Sequence, residues 1–242
     1  MVIGMQRYFV KEKIDNTFKI IDDYHHVVNV MRMKIGEKLE VSYQGIIYLC
    51  TIIKITNGFV LVQPIDKISQ DNELDINVAI AQALVRDDKF SLIIQKTTEL
   101  GVKKIIPLIT ERSIIKLDDK RKLSKIKRWH HIAKEASEQS KRNNILEVTP
   151  IMTMEDLTKL PYDYKLLCSP REKEKSIKKV LQSLSKNDTI LVIVGPEGGL
   201  TPKEEAFLIK HGFISVSLGS RILRTETVPI FLASIINYEL MR

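Results

Sequence analysis

From residue 76 onward the chain alternates unbroken apolar runs with amphipathic stretches, and this pattern admits few folds. The runs are "INVAIAQAL", "KIIPLIT", "YKLLC", "TILVIVG" and "FISVSLG". Helical patterns separate them: Phe90 to Leu100, a long helix near 120–141, a Lys/Glu-rich stretch after Arg171, a segment from Pro202, and a final apolar helix running to residue 242. Strands that are apolar on both faces, spaced by helices, predict an α/β domain with a parallel sheet covered on both sides. In the long helix Leu123, Ile126, Trp129, Ala133 and Ala136 fall three or four residues apart, a stripe expected to face the core.

The residues before this pattern read differently. Positions 39–65, "LEVSYQGIIYLCTIIKITNGFVLVQPI", are rich in β-branched and aromatic residues, with Gln44-Gly45 and Asn57-Gly58 as turn signals. A small β domain is expected there. It is preceded by "HHVVNVMRMKIGE", whose Val27, Val30 and Met31 spacing and closing Gly36 predict a short helix. The polar stretch "DKISQDNELD" at 66–75 reads as a linker, dividing the chain into domains at 1–70 and 75–242.

Composition excludes some classes. The apolar runs are broken within about ten residues, short of the roughly 18 needed to span a bilayer. "MVIGMQRYFV" lacks the features of a secretory signal, so a cytoplasmic location is expected. Cys50 and Cys168 stand apart and read as small buried hydrophobes, with no disulfide framework. The pairs His25-His26 and His130-His131 have no cysteine beside them, and no metal is expected. The formal charge is +8, and residues 111–142 hold eleven Lys/Arg against five Asp/Glu, a segment that could be a solvated helix face or a phosphate-binding surface.

Ligands of parallel sheets collect at the carboxyl ends of the strands, which here carry the loops "SPRE", "GPEGGLT" and "GSRILRTET". In "VGPEGGLTPKEEA" Thr201, Glu204 and Pro202 mark a helix start through a capping box and a proline in the first turn. Gly195, Gly198 and Gly199 therefore form a tight strand-to-helix turn whose amides are free for a ligand. The spacing matches neither a P-loop nor a dinucleotide fingerprint. The third loop gathers Arg221, Arg224 and Glu226 with Ser220, Thr225 and Thr227, more polar than a connector needs. As pure structure, Thr225 or Thr227 could cap the last helix and Arg224 could pair with Glu226.

Together, "LVIVGPEGGLTPKEE" and "VSLGSRILRTET" resemble the last two motifs of the SPOUT-type trefoil-knot methyltransferases, specifically the 16S ribosomal RNA uridine-N3 methyltransferase (RsmE) family. "MQRYFV" and "HHVVNVMRMKIGE" resemble its PUA-like RNA-binding domain; "LIIQKTTELGVKKIIPLITERS" and "RWHHIAKEASEQSKR" resemble its intervening segments. Two departures stand out. A Lys-Gly-Asp-like turn is replaced by Val85-Arg86-Asp87-Asp88-Lys89, and an alanine after "RTET" is Val228, a change packing should tolerate.

The resemblance implies a PUA-like small β-barrel domain followed by a SPOUT α/β domain whose chain is threaded into a deep trefoil knot. It implies S-adenosylmethionine as cofactor, held by Leu167, Cys168 and Ser169, by Gly195, Pro196, Glu197, Gly198 and Gly199, and by Leu218, Gly219, Ile222, Leu223, Arg224 and Thr225. The implied substrate is 16S rRNA of the small ribosomal subunit, and the implied assembly is a homodimer buried along the last helix. Arg224 and Glu226 are the catalytic candidates: a fixed cation for charge developing on uracil, and a base or an orienting carboxylate. Arg7, Arg32, Lys34, Gln139 and Arg142 are the candidates for RNA contact. Two rivals share the motifs: a non-catalytic RNA-binding assembly factor, and a methyltransferase of the same fold acting on a ribose or on tRNA.

Overall fold

The computed structural model describes residues 5–113 and 119–240. The chain divides into two compact units, one of residues up to Glu73 together with Ser137–Ile145, the other of Leu74–Ala136 with Leu146 onward.

The first unit is a six-stranded sheet. Its strands are β1 (Arg7–Phe9), β2 (Glu12–Ile14), β3 (Thr17–Ile20), β4 (Lys38–Tyr43), β5 (Ile46–Thr56) and β6 (Phe59–Ile68), in the order β1-β4-β5-β6-β3-β2. β1 runs parallel to β4 and the other pairs are antiparallel. Gln44 and Gly45, both at positive φ (50° and 78°), close the β4–β5 hairpin as a primed turn matched to strand twist. Irregularities between Leu49 and Cys50 and between Ile52 and Lys54 bend the long β5–β6 ribbon, which lets the sheet curl over Phe18, Leu39, Val41, Cys50 and Val60.

Two expectations change here. The predicted helix is a single π-helical turn, His26–Val30, closed by the Met31 amide donating to the His26 carbonyl at 2.8 Å. That wider closure breaks the 3.6-residue period, so Val27 is buried while Val30 and Met31 face outward. The stretch read as a linker begins as strand, because β6 continues to Ile68, which pairs with Ile47.

Arg7 and Arg142, both candidates for RNA contact, are 1% and 2% exposed. The Arg7 guanidinium donates to Glu40 at 2.8 Å and to the backbone carbonyls of Lys141 and Arg142. Arg142 pairs with Glu73, whose Oε1 also accepts from the amides of Asn143 and Asn144 at 3.0 and 3.1 Å. A buried guanidinium is held by a carboxylate because leaving it unpaired is costly, and here each is spent on packing the 137–145 segment. Arg32, Lys34 and Gln139 are exposed.

The second unit contains β7 (Asn77–Ala83), α1 (Asp87–Glu99), β8 (Lys104–Leu108), α2 (Asp119–Gln139), β9 (Glu147–Val148), α3 (Met154–Thr158), β10 (Tyr164–Cys168), α4 (Ile177–Leu181), β11 (Thr189–Val194), α5 (Pro202–Lys210), β12 (Ile214–Val216) and α6 (Thr227–Leu240); the last three residues of α2 group with the first unit. The sheet order is β12-β10-β11-β7-β8-β9, every pair parallel. Ala79, Ala81, Ile106, Leu167, Leu191 and Ile193 pack on one face against Leu200, Leu208 and Phe213.

The α2 stripe is realised in part. Trp129, Ala133 and Ala136 are buried, with the Trp129 ring 4.3 Å from that of Phe90, whereas Leu123 is 63% exposed. Residues 114–118 of the basic segment lie outside the described residues. The helix after Arg171 starts only at Ile177: Glu172 Oε1 accepts from the amides of Lys173, Glu174 and Lys175, and this local capture competes with helical bonding. α5 begins as the motif predicts, with Thr201 Oγ1 accepting from the Glu204 amide and Glu204 Oε2 from the Thr201 amide.

Candidate active site

Because all strands of the second sheet run the same way, the segments following β7, β10, β11 and β12 emerge at one edge. They enclose a cleft of about 510 Å³ lined by Lys89, by residues 168–171, by residues 194–200 with Glu205, and by residues 217–219, 221–226 and Val228. Of the positions expected to hold the cofactor, all line this cleft except Leu167, which is buried in β10 one residue before the lining begins. Arg224 and Glu226 line it as well.

The Gly195–Gly199 turn is closed tightly enough that a side chain at its first position would press on the backbone. A Cβ on Gly195 would stand 3.1 Å from the Leu200 amide nitrogen, and Gly199 sits at φ 66°. A relay of hydrogen bonds fixes this turn: Gln82 Nε2 donates to Thr225 Oγ1 at 3.2 Å, and Thr225 Oγ1 donates to the Gly195 carbonyl at 2.7 Å. Thr225 thus joins the loop after β12 to the loop after β11, and the helix-cap alternative for it is set aside. On the opposite wall, Glu205 accepts from Ser169 Oγ at 3.1 Å and pairs with Arg171 at 2.7 Å.

Charge in the cleft is concentrated at Lys89, in the first turn of α1. Its Nζ lies 3.0 Å from Glu197 and 3.2 Å from Glu226. The hydrogen bond to Glu197, joined by the ion pair with Glu226, outweighs burial and holds the lysine above its ordinary range, so it stays protonated. Burial works to raise the Glu226 carboxyl, but its own backbone amide, Lys89 and Arg224 together hold it below the usual carboxylate range. Cys168 lines the cleft as a neutral thiol, pushed up to about 12 by burial, and Cys50 is pushed to about 12 by the same cause. Cys50 is buried as expected, whereas Cys168 is half-buried at the cleft wall.

The lining suits a partly apolar ligand that approaches the main chain closely. Val194, Leu218, Ile222, Leu223 and Val228 offer apolar surface, and the glycine turn offers backbone at close approach. Among the described residues no group of three His, Cys, Asp or Glu stands where it could hold a metal ion.

Lys89, Gln82, Arg171 and Glu205 were not singled out by the motifs. Gln82 carried a signal, a long polar side chain in the strand "INVAIAQAL" that proves fully buried. Lys89 closes the altered turn at 85–89, and Glu205 reads in sequence as an ordinary first-turn acid.

A family model described as an RNA methyltransferase domain matches residues 72–237, and one described as an RNA methyltransferase PUA domain matches residues 22–65. The chain is 39% identical to the ribosomal RNA small subunit methyltransferase E of Bacillus subtilis (strain 168), covering 97% of both chains. It is 33% identical to the same-named protein of Buchnera aphidicola subsp. Acyrthosiphon pisum over 93% of this chain and 89% of that one. Its structure resembles that of ribosomal RNA small subunit methyltransferase E from Neisseria gonorrhoeae bound to S-adenosyl methionine, with a TM-score of 0.85, 30% identity and coverage of 97% and 98%. The chain belongs to the ribosomal RNA small subunit methyltransferase E family.

Proposed function

We infer that this protein is an enzyme that uses S-adenosylmethionine to methylate RNA of the small ribosomal subunit. The observation that carries this reading is the meeting of three strand-end loops, with the "GPEGG" and "RTET" motifs joined at one cleft that both line, in a chain of this family. The cofactor, when bound, supplies a methyl group on a positively charged sulfur. The chain's part is to hold that molecule with the amides of the 195–199 turn and of the loops after β10 and β12, and to exclude water with Leu218, Ile222 and Leu223.

The finer reading is methylation at N3 of a uridine. That nitrogen carries a proton at neutral pH, and two side chains at the cleft edge suit its removal. Glu226, kept ionised, accepts a hydrogen bond from N3–H, orients the ring and takes that proton as N3 gains its methyl group. Arg224, exposed on the same loop, offers a permanent cation to charge developing on the uracil oxygens. Residues 1–70 serve as the PUA-like RNA-binding domain and 75–242 as the methyltransferase domain with its knot. Arg32, Lys34 and Gln139, all exposed, remain candidates for phosphate contact. The apolar surface of α6 supports a homodimer.

Expressed in a bacterium lacking its own enzyme of this family, the protein should restore N3-methyluridine to small-subunit RNA. A methylated ribose in its place would overturn the base assignment, and no methylation at all would overturn the activity.

A further inference from the structure

Lys89 bridges the two motif loops. It projects from the first turn of α1, is 19% exposed at its side chain, and meets one carboxylate from each loop: Glu197 of the turn after β11 and Glu226 of the loop after β12. Its own position is set from behind. Phe90, the next residue, stacks on Trp129 of α2, and Asp87, two residues earlier, pairs with Lys125 and Arg128 of the same helix. α1 therefore presents Lys89 from a seat anchored by apolar and ionic contacts.

We propose that Lys89 is a positioning residue that fastens the two motif loops together and holds the Glu226 carboxylate, ionised and fixed, at the edge of the cleft where the uracil ring enters. This rests on the assignment of Glu226 to the reacting base. A glutamate on a loop has several rotamers open to it, and fixing it through a cation that is itself fixed removes that freedom before substrate arrives. Lys89 does not serve as the base, because both carboxylates favour its protonated form. The groups facing Glu226 are Lys89 from α1, Arg224 from its own loop and, through Lys89, Glu197 from the turn after β11. Removing Lys89 leaves Glu226 beside Glu197 with Arg224 as its remaining cation, so its carboxyl rises toward the ordinary range.

The test compares Lys89→Met, Lys89→Arg, Glu226→Gln and the double variant Lys89→Met/Glu226→Gln. Single-turnover methylation of small subunits is measured at saturating cofactor, alongside calorimetric cofactor affinity without RNA. Lys89→Met should slow methylation at least about tenfold. Its cofactor Kd should change less than about threefold, which separates binding from the later step. The acid limb of its pH profile should move to higher pH, Lys89→Arg should recover most of the rate, and the double variant should be no slower than the slower single one. A wild-type rate for Lys89→Met with a slow Glu226→Gln would overturn the role of Lys89 alone. Additive losses in the double variant, or a loss confined to cofactor affinity, would overturn it too. A wild-type rate for Glu226→Gln would remove the assignment beneath it.

Discussion

At the scale of single residues, the cleft depends on a few polar contacts that join one loop to another. Thr225 is the clearest case, since its hydroxyl both receives from Gln82 and donates to the Gly195 carbonyl. Thr225→Val keeps the shape and removes both bonds, so the Gly195 carbonyl loses its Thr225 donor while Gln82 Nε2 retains only its bond to the Ala83 carbonyl. Chemical denaturation should show a loss of about 1–3 kcal/mol, and calorimetry should show weaker cofactor binding. Glu226 carries a pH prediction. Its carboxyl is held below the usual range, so its ionised form is complete above that range and is lost only as pH falls through the depressed value. Methylation rates should therefore show no carboxylate-dependent fall from pH 8 down to about pH 5; a fall centred on the ordinary carboxylate range would show that Lys89 and Arg224 do not act on it. These residues were unequally legible. "RTET" announced Thr225 and Glu226, but nothing near Lys89 in sequence reveals that its partners lie 108 residues away at Glu197 and at Glu226 on a third loop.

At the scale of elements, periodicity and caps were reliable where a single face or a single box decides the outcome. The all-parallel strands and the α5 capping box follow from apolar runs and from Thr201-x-x-Glu204. Where side chains compete with the helical pattern, it misleads. Glu172 draws three amides into a loop in place of a helical turn, and the π-helical closure at Met31 shifts which residues face inward. The two arginines that looked free to meet RNA are held because carboxylates from distant segments reach them, which charge counting along the chain cannot detect. Arg142→Ala leaves Glu73 buried without its cation and should cost about 3–5 kcal/mol. Thermal and chemical unfolding would register this, and the purified folded fraction should keep its cofactor affinity; a variant of unchanged stability with weakened RNA binding would instead return Arg142 to the RNA surface.

At the scale of the whole molecule, a net charge of +8 and a basic segment over residues 111–142 lead to salt-dependent association with a polyanion. Affinity for small-subunit RNA should fall steeply and log-linearly as salt is raised, while cofactor affinity without RNA changes little. The proposed homodimer rests on the apolar α6. Ile235→Asp should produce monomers without activity, and light scattering that shows an unchanged dimer would remove that reading. The central claim is the reaction itself, and one measurement addresses it: incubating the protein with isotopically labelled S-adenosylmethionine and small subunits lacking the modification, then digesting the RNA and identifying labelled nucleosides by mass spectrometry. The account predicts label in N3-methyluridine. Label in a ribose or in another base, or no label from protein that binds the cofactor, would contradict it.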